Sequence, residues 1–242
     1  MQTEYLLSIV TVTKNCADTI DKTLDSVAAI KDSRVEYVVV DGVSTDDTLE
    51  RVRARGSLVD RLVSEPDTGI YNAMNKGVVL ARGRYVLFIN GDDRLASEGF
   101  PTVMPLLDVG QDPIVCASMR VMNTAEGELP AVPWKLPFFC TVHHPALFAK
   151  RELLQQWPFR EDLRIASDYD FFLRAYVAGV RFRPVPVVTA LHWRGGASGN
   201  VARSVAETRQ VQREQLGWRY PLYCIALAGY RVCKRLGLVR KI

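Results

Sequence analysis

An α/β fold on a doubly wound, parallel sheet is what the sequence predicts, and three observations carry that reading. Apolar, β-branched runs of strand length alternate with segments whose apolar residues recur at helical spacing. The connections between them are short, which suits crossover units. The strands also end in acids, at Asp41, Asp67 and the adjacent pair Asp92 and Asp93. Ligands of open α/β sheets sit beyond the carboxyl ends of the strands, so that rim is the expected site.

The elements follow in order. "YLLSIVTVT" (5–13) suits a strand buried on both faces, and Ile20, Leu24, Val27 and Ala28 then share a helical face. "VEYVVVDG" (35–42) is the second strand. "STDDTLERVRAR" follows as a helix, with Ser44 and Asp47 spaced as a capping box. "VDRLVSEPD" (59–67) is the third strand, and Ile70, Met74, Gly77, Val78 and Ala81 line one face of the next helix, with Arg82-Gly83 as its stop. "YVLFINGDD" is the fourth strand, running into its acids.

Beyond residue 100 the alternation weakens. "GFPTVMPLL" predicts a helix, "IVCASMRVM" a strand and "PAVPWKLPFF" an irregular loop. "ALFAKRELLQQW" and "SDYDFFLRAYVAG" predict helices, the second with Ser167 and Asp170 as a capping box. "VRFRPVPVVTALHW" predicts an edge strand because of its prolines, "RGGASGN" a flexible loop, and 201–216 a polar helix.

The chain has 242 residues, 24% charged and 48% hydrophobic, an ordinary globular composition. A net charge of +4 is too small to imply nucleic-acid binding, but the positive residues gather at the end. Arg209, Arg213, Arg219, Arg231, Lys234, Arg235, Arg240 and Lys241 face only Glu214 there. The five cysteines form no CxxC pair and are odd in number, which fits reduced thiols in a cytoplasm. The opening residues lack a basic leader and read as the first strand.

Adjacent carboxylates at the end of a buried strand repel one another and lose solvation. A divalent cation bearing a diphosphate would resolve both costs, since Mg²⁺ and Mn²⁺ take few protein carboxylates and complete their shell with phosphate and water.

On "SIVTVTKN", "VVVDGVSTDDT", "SEPDTGIYNAMNKGVVLARGRYVLFINGDD" and "ASDYDFFLRA", the sequence resembles the family 2 glycosyltransferases of GT-A fold. The motif wording is nearest to colanic-acid-type exopolysaccharide and O-antigen transferases. The resemblance implies a Rossmann-like nucleotide-sugar half (1–98) with a mixed central sheet, an acceptor and catalytic half (99–200), and a basic, amphipathic helical extension (201–242).

What the resemblance implies about the site can be placed residue by residue. Thr13 would touch the nucleotide, Asp41 the base, commonly uracil, and Asp67 the base and ribose, with Lys76 in the adjacent helix motif. Asp92 of "NGD" would hold Mn²⁺ or Mg²⁺ through the donor diphosphate, with Asp93 beside it at the metal, directly or behind a ligand, or on the sugar. His192 in "LHWRGG" corresponds to a histidine that in some members reaches the diphosphate or metal. His143 and His144 fall in an acceptor-side loop, and consecutive residues point apart, so at most one serves the site. Asp168 would be the catalytic base of an inverting transfer from a nucleotide-diphosphate sugar, UDP-sugars favoured, to a lipid-linked cell-surface glycan. Asn90 departs from the pattern, since an acid is expected there.

Structural roles stand beside these. Asp41-Gly42 could be a turn, Asp92 and Asp93 helix-start acids, Asp168 a cap and the histidines packed side chains. At the level of function, a non-catalytic nucleotide- or glycan-binding member of an assembly is the second reading, kept open by Asn90. A sugar nucleotidyltransferase is a third, disfavoured by the absence of glycine in "KNCADTI" after the first strand. The segment 218–242 is basic around an apolar centre, and Leu222, Ile225, Ala226 and Gly229 share a helical face. It could lie in the plane of an anionic membrane on the cytoplasmic side, or dock on the domain.

Overall fold

The computed structural model describes residues 5–124, 127–193 and 200–235. The first half alternates as the sequence predicts: β1 (Leu7–Thr13), α1 (Ile20–Ala28), β2 (Val35–Asp41), α2 (Thr48–Ala54), β3 (Arg61–Ser64), α3 (Ile70–Leu80) and β4 (Tyr85–Asn90). Every residue of β1 and β2 is buried, which is why their runs show no polar alternation. β1 pairs in parallel with β2 and β4, and β2 with β3. The register sets Thr13 opposite Asp41 and Val12 opposite Asn90, so the acidic strand ends share one rim.

The second half turns the sheet mixed. It comprises β5 (Arg94–Leu95), α4 (Phe100–Val109), β6 (Ile114–Val121), β7 (Gly127–Leu129), β8 (Leu147–Lys150), α5 (Arg151–Gln156), α6 (Ser167–Val177), β9 (Phe182–His192), α7 (Val201–Leu216) and α8 (Tyr220–Arg235). The strand order is β3-β2-β1-β4-β8-β6-β9-β5, with β7 on β6. β8 runs antiparallel to both β4 and β6, and β9 parallel to β6. Only Arg94 and Leu95 cover the outer side of β9, at Leu191 and Ala190. Pro184 and Pro186 fall outside the stretch that β5 covers, and Pro184 stands opposite Cys116 of β6.

Two apolar clusters fill the two faces of this sheet. One joins Val10, Val38 and Phe88 to Met74 and Val78 of α3 and Phe171 of α6. The other joins Ile9, Tyr37 and Leu87 to Ile20 and Leu24 of α1 and Phe100 of α4. The period-2 alternation of strand side chains divides them. Helix α3 crosses β1 closely: a Cβ on Gly77 would stand 2.4 Å from Val10 Cγ1.

Three local expectations are corrected. "ALFAKRELLQQW" is not one helix, because Leu147–Lys150 pairs between β4 and β6 and only Arg151–Gln156 coils. Neither capping box forms: Asp47 and Ala166 occupy the N-cap positions without side-chain caps, and Ser44 turns instead to Asp41. Arg82-Gly83 supplies no left-handed stop; α3 ends at Ala81 in extended backbone. The "RGGASGN" loop lies, but for Asn200, outside the described residues.

Candidate active site

The carboxyl ends of β1 and β4, the start of α3 and the start of α6 enclose a cavity of about 400 Å³. It brings together Thr13, Asp67, Asp92, His144, Asp168 and His192, with Lys14 and Arg164 as its cations. Asp41, Lys76, Asp93 and His143 do not line it. Asp41, Lys76 and Asp93 nonetheless hold loops or side chains that border it.

Asp41 is fully buried at the end of β2. Its oxygens accept from the Ser44 hydroxyl at 2.5 Å, the Ser44 N–H at 3.0 Å and the Ser64 hydroxyl at 2.6 Å. The loop after β1 is laced to the same segment: Ser44 Oγ accepts from Asn15 N–H, and Asn15 Oδ1 from Thr45 N–H. Thr48 Oγ1 and Asp46 accept from Cys16 and Ala17 N–H. "STDDT" is thus a set of hydroxyls and a carboxylate satisfying a loop that has no ladder of its own. Val43, exposed beside it, takes φ 60°, which is unusual for a β-branched residue.

Asp67 accepts from Gly69 N–H at 2.9 Å and lies over Gly42, where a Cβ would stand 2.1 Å from Asp67 Oδ2. Lys76 does not reach the cavity. Its ammonium pairs with Glu65 at 2.9 Å and donates to Pro66 O at 2.6 Å, holding the strand-end loop that carries Asp67.

The two acids of β4 diverge. Asp92 lines the cavity, and burial together with the charge of Asp93 pushes its carboxyl above the usual range. Asp93 is fully buried, with Oδ1 2.7 Å from His192 Nδ1 and Oδ2 lacking a hydrogen bond. A neutral His192 donating Nδ1–H to Asp93 carries its lone pair at Nε2. A carboxylate that orients an imidazole in this way is a common outer partner of metal ligands.

A divalent cation fits these donors on three counts. Asp92 is destabilised as an anion, Asp93 supports an imidazole ligand, and Asn90 Oδ1 is buried without a partner. Among the described residues no group of three or more His, Cys, Asp or Glu is arranged to hold a metal alone.

Asp168, which also lines the cavity, stands in the first turn of α6. Its Oδ2 lies 3.1 Å from His144 Nδ1, and its Oδ1 3.3 Å from the Tyr71 hydroxyl. Burial and the charge of Asp168 push the Tyr71 phenol upward, so it remains protonated, and its shorter hydrogen bond goes to Ile165 O at 2.6 Å. His144 Nε2 faces Asn90 Nδ2 at 3.3 Å. With the amide donating, Nε2 accepts and Nδ1–H points at Asp168. His143, the other half of "HH", is pushed down to about 4 by burial and lies off the cavity.

Several residues that sequence reading did not single out fasten the start of α6. Glu207 of α7 accepts from three successive backbone N–H groups, of Arg164, Ile165 and Ala166, at 2.8–3.1 Å. Gln212 donates to Tyr169 Oη at 3.2 Å and Gln215 to Asp170 Oδ1 at 2.8 Å. Asp170, fully buried, also holds Arg174 at 2.8 Å. No sequence signal marks Glu207, whose partners lie more than forty positions away.

Residues 8–160 match the family described as glycosyl transferase family 2. A PGL/p-HBAD biosynthesis glycosyltransferase of Mycobacterium bovis is 29% identical over 228 residues, covering 88% of this chain and 87% of its own. Glucosyl-3-phosphoglycerate synthase of Mycobacterium tuberculosis, solved with Mn²⁺, UDP and glucosyl-3-phosphoglycerate, superposes with a TM-score of 0.61 at 26% identity, over 87% of this chain and 78% of that one. TarS of S. aureus in complex with UDP superposes with a TM-score of 0.67 at 21% identity, over 87% of this chain; the chain spans 65% of that TarS chain.

Proposed function

The chain belongs to glycosyl transferase family 2 and is a glycosyltransferase of GT-A fold, and from that premise we propose that it is a cation-dependent, inverting enzyme. It transfers a sugar from a nucleotide diphosphate, UDP-sugars favoured, to a growing lipid-linked glycan at the cytoplasmic face of a membrane. The observation that carries the reading is that Asp92 and Asp168 line one cavity at the carboxyl rim of the sheet. Relatives solved with UDP, and in one case Mn²⁺, support the donor class and the ion.

In this reading Thr13, Asp67 and the "STDDT" loop receive the nucleoside, with Asp41 fixing that loop and Lys76 its neighbour. Asp92 and His192 hold Mn²⁺ or Mg²⁺, and Asp93 orients His192. The bound cation would neutralise the diphosphate as negative charge builds on it. Asp168 takes the proton of the acceptor hydroxyl while that oxygen attacks the anomeric carbon, and the diphosphate leaves from the opposite face, which inverts the configuration. His144 holds Asp168 in place, and Tyr71, whose hydroxyl donates to Ile165 O at 2.6 Å, ties down the backbone that leads into it. Residues 1–200 act as the transferase domain and 201–242 as its extension.

Thermal unfolding against UDP, GDP, CDP and dTDP, each with Mn²⁺ or EDTA, tests the donor and the ion together. A diphosphate at 100 times its dissociation constant should add about 2.7 kcal/mol. Stabilisation by one diphosphate, dependent on metal and lost in Asp92→Asn, is expected. Asp168→Asn should keep that binding and lose transfer. Turnover that survives Asp168→Asn would reject the base assignment. No stabilisation by any diphosphate would favour the non-catalytic module that Asn90 keeps open.

A further inference from the structure

Helix α8 turns its tyrosines inward and its aliphatic residues out. Tyr220 and Tyr223 pack against the core, and the Tyr223 ring meets Phe138 edge-on at 5.2 Å. Trp218, Leu222 and Ile225 are 76%, 57% and 69% exposed, and Ala226 and Gly229 continue the same stripe. An aliphatic stripe at helical spacing facing water marks a surface that something covers.

The patch extends beyond the helix. The loop that carries Phe138 also exposes Trp134 at 56% and Phe139 at 42%. Basic groups interleave with these aromatics: Lys135 stands over Trp134, and Arg219 over Trp218. Arg231, Lys234 and Arg235 lie in the last turns of α8, and Glu214, the one acid of the tail, is taken by Arg160. No described helix is long and apolar enough to cross a membrane. Tryptophans, aliphatic residues and a sequence rich in cations are the chemistry of an interfacial helix on anionic headgroups.

We propose that Trp218, Leu222 and Ile225 of the α8 region, with Trp134 and Phe139 beside them, seat the protein in the plane of an anionic lipid bilayer. The seat deepens the transferase reading by naming the surface that would meet a lipid-linked acceptor, and it rests on that reading for its purpose alone. Vesicle binding therefore serves as a test without donor or acceptor.

The experiment is flotation of the full chain with vesicles of phosphatidylcholine, alone or mixed with phosphatidylglycerol, at low and high salt. Strong binding is expected only to the mixed vesicles, weakened by salt. The double variant Leu222→Ser/Ile225→Ser should bind at least about tenfold more weakly, since each exposed side chain gives up its transfer into the interface. Arg219→Glu should weaken binding through charge alone. Both variants should keep the wild-type unfolding midpoint and transfer to a water-soluble acceptor, which separates loss of the seat from loss of the enzyme. The proposal is overturned if folded wild-type protein ignores anionic vesicles at low salt, or if the double variant binds as well as wild type. It is equally overturned if the patch proves to drive self-association, abolished in the same variant without lipid.

Discussion

Removing the Glu207 carboxylate should slow transfer without touching donor binding, although Glu207 lies on α7 and outside the cavity. Its two oxygens take the N–H groups of Arg164, Ile165 and Ala166, the residues that lead directly into Asp168. In Glu207→Ala those three donors lose an ionised acceptor. The Arg164 N–H lies on an exposed residue, where water replaces the bond at little cost. Ala166 is 4% exposed, and a buried donor left unmade costs about 1–3 kcal/mol. With Ile165 between these limits, the sum is about 2–3 kcal/mol. For a chain of this size that lowers the thermal midpoint by roughly 4–12 °C.

The functional consequence follows from where those donors sit. A loosened first turn of α6 displaces Asp168 from the acceptor hydroxyl, and misplacement of a reacting group by about 1 Å can cost on the order of 100-fold in rate. Donor contacts at the ends of β1 and β4 are untouched. Steady-state kinetics should show kcat falling at least about tenfold with the donor KM unchanged, and Glu207→Gln, which keeps one oxygen, should recover part of both losses. If kcat and the midpoint match wild type, or if the donor KM rises in step with the loss of kcat, Glu207 does not position Asp168.

Asp92→Asn should raise the unfolding midpoint in EDTA while abolishing stabilisation by diphosphate with Mn²⁺. Its folded carboxyl is raised by burial and by Asp93, so ionising it costs the fold free energy above the ordinary carboxylate range, and an amide removes that cost. A midpoint below wild type in EDTA would contradict this. His143 titrates at about 4 in the fold, below its ordinary 6.5, so the unfolded chain takes up that proton first. Stability contributed by its neutral form should therefore decline as pH falls from 6.5 towards 4, and urea titrations across that window should show a flatter limb in His143→Asn. Gly77→Ala should destabilise the protein by about 1–3 kcal/mol despite the better helix former, because its Cβ would meet Val10 Cγ1 at 2.4 Å. Val10→Ala should restore part of the loss in the double variant, read by the same urea midpoint.

The nucleotide half was legible because its signals are local. Strands buried on both faces read as unbroken apolar runs, and parallel strands with short crossovers must align their carboxyl ends, which placed Asp67 and Asp92 on one rim before any coordinates. Signals that depend on partners far along the chain were not legible. Leu147–Lys150 reads as the start of a helix until β4 and β6 are present to pair with it. Ser44 and Ser167 have capping spacing, yet Asp41 competes for the first hydroxyl, and the second is buried without a hydrogen bond. The polar helix α7 has few apolar positions to announce its docking. It is held through Glu207, Gln212 and Gln215, whose contacts leave no periodicity to read.

Asn90 looked like a defect in the acidic motif, and the geometry around it gives a different account. Its amide faces His144 Nε2, and His144 Nδ1 faces Asp168. With the amide nitrogen donating, the imidazole accepts at Nε2 and presents its Nδ1–H to Asp168. An acid at position 90 could only accept. The ring would then either turn its proton towards residue 90 and oppose Asp168 with a bare nitrogen, or become a cation. It would also set a third carboxyl beside Asp92 and Asp93, where burial and like charge already raise Asp92. Asn90 and His144 are therefore consistent with each other as a pair. Together they supply Asp168 with an N–H donor, and the amide adds no further negative charge beside Asp92 and Asp93.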